Sequence, residues 1–250
     1  HTDHVGLLDL LPHASVYGHW RNEPWISQNE DFKQNQKQFF LQLLKENGVD
    51  PSLYHSVDKT QKMMFTYSCH AHLTDVLKEG DRIPGAEEWM VIETPGHAQS
   101  HISLYREKDG VMIAGDHIIK HISPNPVLEP PYKEGEGRAK PLLYYRDSVK
   151  KCKEMEISLL FSGHGEEIVN VDRLILHQLE MQEERAETVR QMIKEGEQTA
   201  YQICQKLFPQ AYEEELLLTM SETIGQLDYL ESIGEVYSEK EGIVRMYKSY

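Results

Sequence analysis

Thirteen histidines occur among the 250 residues, and four short segments set a few of them beside other ligand-type groups. His1-Thr2-Asp3-His4 packs two imidazoles and a carboxylate into four positions, and later a glycine precedes a ligand type three times, at Gly96-His97, Gly115-Asp116 and Gly163-His164. Imidazole and carboxylate together suit a borderline divalent cation such as Zn²⁺, or Fe and Mn where the carboxylate share is high. A glycine before each ligand lets the backbone turn sharply, so that side chains from distant segments can meet at one point. One such pair is a weak signal, but four in order are a strong one. No G-x-S-x-G and no C-x-x-C is present, so neither a serine nucleophile nor a thiolate metal site is expected.

Segments with strand character precede each of these glycines. Glu88–Thr94 ends at Pro95-Gly96. Ile102–Tyr105 and Val111–Ala114 flank a Lys108-Asp109-Gly110 turn and read as a hairpin, and Ile157–Phe161 runs into Ser162-Gly163. Ligands on loops at strand ends can converge on one edge of a sheet. Helical patterns lie between: Asn29–Asn47, stopping at Gly48, then Leu142–Met155 and Val171–Lys194. Residues 123–141 hold five of the eleven prolines and read as a long loop of the kind that is often functional. A boundary is expected near Gly196. Beyond it come a helix (Thr199–Leu207), a longer helix or pair (Tyr212–Ser232) and a hairpin (Glu235–Ser238, Ile243–Tyr247), which is a winged-helix order.

Composition narrows the function classes. Lys and Arg number 26 against 41 Asp and Glu, a formal charge of −15, which repels phosphate backbones and disfavours nucleic acid as a partner. No run approaches the ~20 apolar residues of a membrane helix. Three scattered cysteines (Cys69, Cys152, Cys204) fit reduced thiols and a cytoplasmic location better than a disulfide frame.

The order and wording of the four ligand segments resemble the metallo-β-lactamase-fold hydrolases, whose signature is H-x-H-x-D-H followed by G-H, G-D and G-H. His1-x-Asp3-His4 matches the second half of the first motif, and His97, Asp116 and His164 match the rest in order. The resemblance implies an α/β fold, an αββα sandwich whose N-terminal strands and first histidine would precede His1, leaving a sheet face open around Val91, Leu104 and Ile113. It divides the chain into a hydrolase domain over residues 1–195 and a winged-helix tail over 196–250. It implies two divalent metals, Zn by default with Fe or Mn as alternatives: His1 and His97 at one, Asp3, His4 and His164 at the other, Asp116 bridging both. In that chemistry a hydroxide held between the cations attacks an acyl carbon or a phosphorus, and Asp3 also orients the nucleophile and accepts a proton. Aspartate rather than cysteine at position 116 resembles the thioesterases of the glyoxalase II type and the ribonuclease-type members, and disfavours antibiotic hydrolysis. Three readings stay open: hydrolase of a thioester or other small acyl compound, ribonuclease, and non-catalytic interaction module.

Neighbouring residues receive supporting roles. His101 suits an outer hydrogen-bonding partner of a ligand, and His117 a cleft-lining position. Lys120, Lys133, Arg138 and Lys140 could form an anion-recognising wall, joined by Tyr144 and Tyr145, or could simply be solvated. His13, His19, His55, His70, His72, His121 and His177 are expected on surfaces or helix faces. Residues 212–232 carry six acidic residues and no Lys or Arg, so the tail reads as a packing or dimerisation module bordering the cleft rather than a DNA reader.

Overall fold

A computed structural model describes residues 1–133 and 135–250, with Asp3 described by its backbone alone. Two 3₁₀ turns (Thr2–Val5, Leu8–Leu10) lead to the two-residue strand β1 (Tyr17–Gly18), a third turn (Trp20–Asn22) and the short helix α1 (Glu23–Ile26). Helices α2 (Glu30–Glu46) and α3 (His55–Thr66) follow. The strands β2 (Asp75–Val76), β3 (Arg82–Ile83), β4 (Ala86–Glu93), β5 (Ile102–Arg106) and β6 (Val111–Gly115) come next. After the loop 116–140 come α4 (Pro141–Lys153), β7 (Leu159–Ser162) and α5 (Val171–Lys194). The chain closes with β8 (Gln198–Thr199), α6 (Ala200–Leu207), α7 (Leu216–Ser232), β9 (Val236–Glu241) and β10 (Val244–Ser249).

Five strands form the central sheet in the order β3-β4-β5-β6-β7. Pairing is antiparallel from β3 to β6, and β6 pairs parallel with β7. A parallel neighbour needs a crossover connection, which here consists of the 116–140 loop and α4. Strands β4, β6 and β7 therefore run the same way, and their C-terminal ends share one sheet edge. One face of the sheet, with Tyr105, Met112, Ala114 and Leu160, packs on α4 and α5 through Tyr145, Val149, Cys152, Val171 and Ile175. On the other face the register aligns Val91, Leu104, Ile113 and Phe161. Ile113 and Phe161 are 41% and 43% exposed, whereas Val91, contrary to expectation, is fully covered. Its backbone is bonded by Gly80 and Asp81, which lay the preceding turn against it.

A second core joins α2, the C-terminal half of α5, α6, α7 and the β9–β10 hairpin. Strand β10 pairs antiparallel with both β8 and β9. Helix α6 opens with a capping box between Thr199 and Gln202, and α2 is capped by Asn29, whose side chain accepts from the Phe32 amide. Helix α7 is buried on nearly all sides. Leu216, Met220, Ile224 and Leu227 enter the apolar core, while Glu222 and Asp228 accept ion pairs. These two acids are thus internal partners of Arg185 and Arg138 rather than part of a solvated face. His19 departs from its expected surface position: it is 6% exposed, and its Nδ1 accepts from the Arg21 amide at the start of a 3₁₀ turn.

Arg138 meets Asp228 in a two-pronged pair at 2.6 and 2.7 Å, with the carboxylate side chain 3% exposed. Asp228→Ala strands that guanidinium and should lower stability by about 3 kcal/mol, read as a lower urea midpoint. Lys140→Ala removes a 3.8 Å contact from a side chain 41% exposed and should cost under about 1 kcal/mol. Equal costs would contradict this ranking.

Candidate metal centre

The shared direction of β4, β6 and β7 delivers His97, Asp116 and His164 to the same edge, and the first 3₁₀ turn brings His1 and His4 against them. The Asp116 carboxylate is the meeting point. Its Oδ2 lies 2.9 Å from His4 Nε2, 3.4 Å from His164 Nε2 and 3.5 Å from His97 Nε2. The His1 ring packs edge-on to His97 with centroids 4.4 Å apart, and His4 packs edge-on to His164 at 5.3 Å. Five of the six expected ligands therefore converge; the side chain of the sixth, Asp3, lies outside the described residues. His4, Asp116 and His164 by themselves offer donor atoms within 4.8 Å of one another.

Several details fit this cluster to a cation. Asp116 Oδ1 and His97 Nε2 are buried without a hydrogen-bond partner, an expensive state for polar atoms unless something else satisfies them. His97 Nδ1 lies 2.8 Å from the Asn125 carbonyl oxygen, which can only accept. The proton must then sit on Nδ1, so the Nε2 lone pair faces the cluster. Metal–ligand bonds of about 2.0–2.2 Å put tetrahedral ligand atoms about 3.4 Å apart, the spacing that His97 and His164 keep from Asp116 Oδ2. Burial by itself would raise the Asp116 pKa, but the His4 imidazole, 2.9 Å from its Oδ2, holds the carboxyl well below the usual range, ionised and ready to ligate.

Two glycines make the approach possible. A Cβ on Gly163 would stand 2.2 Å from Asp116 Oδ1 and 3.1 Å from His4 Cε1. Gly96, at φ +148°, lies so close to α4 that a Cβ there would sit 2.4 Å from Tyr145 Cα.

The supporting residues divide. His101 lies beneath the cluster, its Nδ1 2.8 Å from Thr94 Oγ1, and Thr94 in turn contacts Ser103. Burial first, then the neighbouring histidines, push the His101 pKa well down, so its ring is neutral. His117 is wholly enclosed rather than lining the cleft; burial pushes its pKa to about 3, and its ring packs edge-on to Tyr145. Tyr145 is also enclosed, its hydroxyl donating to Gln178 Oε1. Arg138 and Lys140 turn to Asp228, Lys120 pairs with Glu166, and Lys133 lies over Trp20, so these cations serve internal partners.

A cavity of about 480 Å³ opens onto His1, His97, Asp116 and His164. Its walls come from α1, α2, α3, the long loop and the first turn of α7. Sequence reasoning missed Asn125, the brace of His97, and the whole of α3. Asn125 does stand in the proline-rich segment already singled out, whereas α3 buries only Ser56 and Val57, and its larger apolar residues, Met63, Met64 and Phe65, fall together at its end.

Residues 1–164 match the family model described as the metallo-beta-lactamase superfamily. The chain is 45% identical over its full length to the "Probable metallo-hydrolase YqjP" of Bacillus subtilis (strain 168), covering 78% of that protein. Among solved structures it is similar to a metallo-beta-lactamase family protein, TTHA1429, from Thermus thermophilus (TM-score 0.76, 24% identity, 100% of this chain and 76% of that one). It is also similar to a beta-lactamase domain protein from Burkholderia ambifaria (TM-score 0.63, 25% identity, 76% and 56%).

Gly163→Ala tests the packing around Asp116 without replacing a ligand. The added methyl must displace Oδ1, so zinc affinity should fall at least tenfold by competitive titration while the circular dichroism spectrum is retained. Unchanged affinity would mean that Oδ1 does not face the ion.

Proposed function

Since the chain belongs to the metallo-beta-lactamase superfamily, we propose that this metal-dependent hydrolase carries two divalent cations and cleaves a thioester or related small acyl compound. Zinc is the favoured ion, with Fe or Mn as alternatives. The observation that carries the reading is the convergence of His4, His97 and His164 on one buried carboxylate, Asp116, with His1 packed against His97, beside a cavity. His1 and His97 would hold one ion; His4, His164 and, by the family motif, Asp3 the other; Asp116 would touch both. When bound, the cations supply Lewis-acid polarisation of the attacked oxygen and a more acidic water.

The chain's own residues do the positioning. Asn125 fixes the His97 tautomer, and the neutral His101 supports the same edge through Thr94. Asp116, kept ionised, supplies negative charge that offsets that of the cations. The name of the B. subtilis relative, a probable metallo-hydrolase, agrees with a hydrolytic role.

The same reading treats residues 1–195 as the hydrolase domain and 196–250 as a winged-helix-like module. Its support is the α6, α7, β9, β10 order and the pairing of β10 with both β8 and β9. RNA is disfavoured as substrate: the −15 charge opposes it, and the described residues lining the cavity include Glu129 and Glu215 but no Lys or Arg.

Asp116→Ala should remove at least about 99% of metal-dependent thioester hydrolysis, some 2.7 kcal/mol of barrier, with the fold intact by circular dichroism. Retention of more than a tenth of kcat at saturating zinc, or faster cleavage of single-stranded RNA than of any thioester, would overturn the assignment.

A further inference from the structure

The cavity over the ligand cluster has a chemical bias of its own. Its inner wall is built from Trp25, Phe40, Leu128 and Leu217, all less than a tenth exposed. Its rim carries Met63, Tyr67, Ile122 and Leu218, each more than a third exposed although apolar. Single exposed apolar side chains are ordinary, but four lining one cavity are a concentration of the sort that marks a binding site.

The charged lining residues outside the ligand cluster are acidic. Glu129 is 2% exposed and already occupied: Oε1 accepts from the Gln99 amide at 3.2 Å, and Oε2 from the Tyr132 hydroxyl at 2.7 Å. Tyr132 is held in turn by the Trp25 indole N–H at 2.7 Å, so this carboxylate is a fixed part of the wall. Glu215, at the entrance to α7, is exposed. Outside the ligand cluster, an exposed carboxylate at Glu215 and no described lining cation leave an anionic carrier such as glutathione or a phosphorylated cofactor without a charge partner.

Resting on the acyl-hydrolase reading above, we propose that the substrate is an uncharged ester or thioester with a medium-length apolar acyl chain, seated between the α3 rim and the first turn of α7. The step is R–CO–SR′ + H₂O → R–COOH + HSR′: water's oxygen joins the acyl carbon, the C–S bond breaks, and a proton passes to the leaving sulfur. A cavity of about 480 Å³ is within the range that takes whole small ligands, enough for a thioester the size of S-octanoyl-N-acetylcysteamine. Each added methylene buried there should raise kcat/KM about three- to fourfold until the wall is filled.

The test uses the zinc-loaded full chain with N-acetylcysteamine thioesters from acetyl to octanoyl, and with S-octanoylglutathione. Expected are a rise of at least a hundredfold in kcat/KM from acetyl to octanoyl, and at least a tenfold preference for the uncharged thiol over glutathione. Met63→Glu with Leu218→Glu, both on the exposed rim, should cut the octanoyl-to-acetyl ratio at least tenfold. Binding to the chelator-treated chain gives a readout free of turnover: by calorimetry 2-decanone should bind at least a hundredfold more tightly than 2-butanone. A flat chain-length profile, a preference for the glutathione thioester, or equal binding of the two ketones would overturn the proposal. Absence of any thioester turnover would instead strike the acyl-hydrolase reading, and the ketone titration would still decide the nature of the cavity.

Discussion

The Asp116 side chain is only 9% exposed, and a carboxylate so withdrawn from water loses most of its hydration. Left unpartnered it would take up a proton, and a neutral acid is a poor metal ligand. The His4 imidazole 2.9 Å from one oxygen reverses that preference, with His97 and His164 within 3.5 Å of the same atom, while the other oxygen is buried with no hydrogen-bond partner. Such an arrangement is costly unless a cation completes it. The surrounding structure serves that end: glycine at position 163, where any side chain would strike the carboxylate; His101 neutral beneath it; and His97 turned by a backbone carbonyl.

Bringing those groups together is a matter of strand direction. Because β5 alone among β4 to β7 runs the other way, the loops after β4, β6 and β7 all open on one edge. The parallel β6–β7 pair forces a crossover, and the chain uses it twice over. Helix α4 covers one face of the sheet, while the loop before it forms a wall of the cavity and carries the carbonyl that holds His97. The length of that loop, unusual for a compact domain, follows from these two duties.

What was legible in the sequence was local. The strands before Gly96, Gly115 and Gly163 show period-two or continuous apolar runs over four to eight residues. Helix α5 shows its apolar side over its whole length and begins and ends where its pattern does, Val171–Lys194. The ligand set was legible because glycine marks where the backbone must turn. What was not legible depends on partners far along the chain. Arg138 and Lys140 look like an anion wall until Asp228, ninety residues later, is placed beside them. His19 and His117 show no local sign of burial. Helix α3 buries only Ser56 and Val57, and Met63, Met64 and Phe65 fall together at its end, yet its exposed Met63 and the nearby Tyr67 set the character of the cavity mouth.

The C-terminal segment looks, by order of elements, like an appended module, but its first long helix is tied to the metal centre by one residue. Asn125 accepts His97 Nδ1–H on its backbone oxygen and donates its side-chain N–H to the Leu218 carbonyl at 2.9 Å. Three residues on, the Leu128 amide donates to Ser221 of α7, and Arg138 completes the seam at Asp228. A shift of the first turn of α7 therefore acts on His97 through a single side chain, as well as moving Leu217 and Leu218 in the cavity wall. The orientation of a ligand and the shape of the space above it are set by the same contacts. Acidic side chains that would be wasted on a nucleic-acid reader have a use here: Glu222 and Asp228 anchor basic residues from α5 and from the loop, and so hold α7 against both.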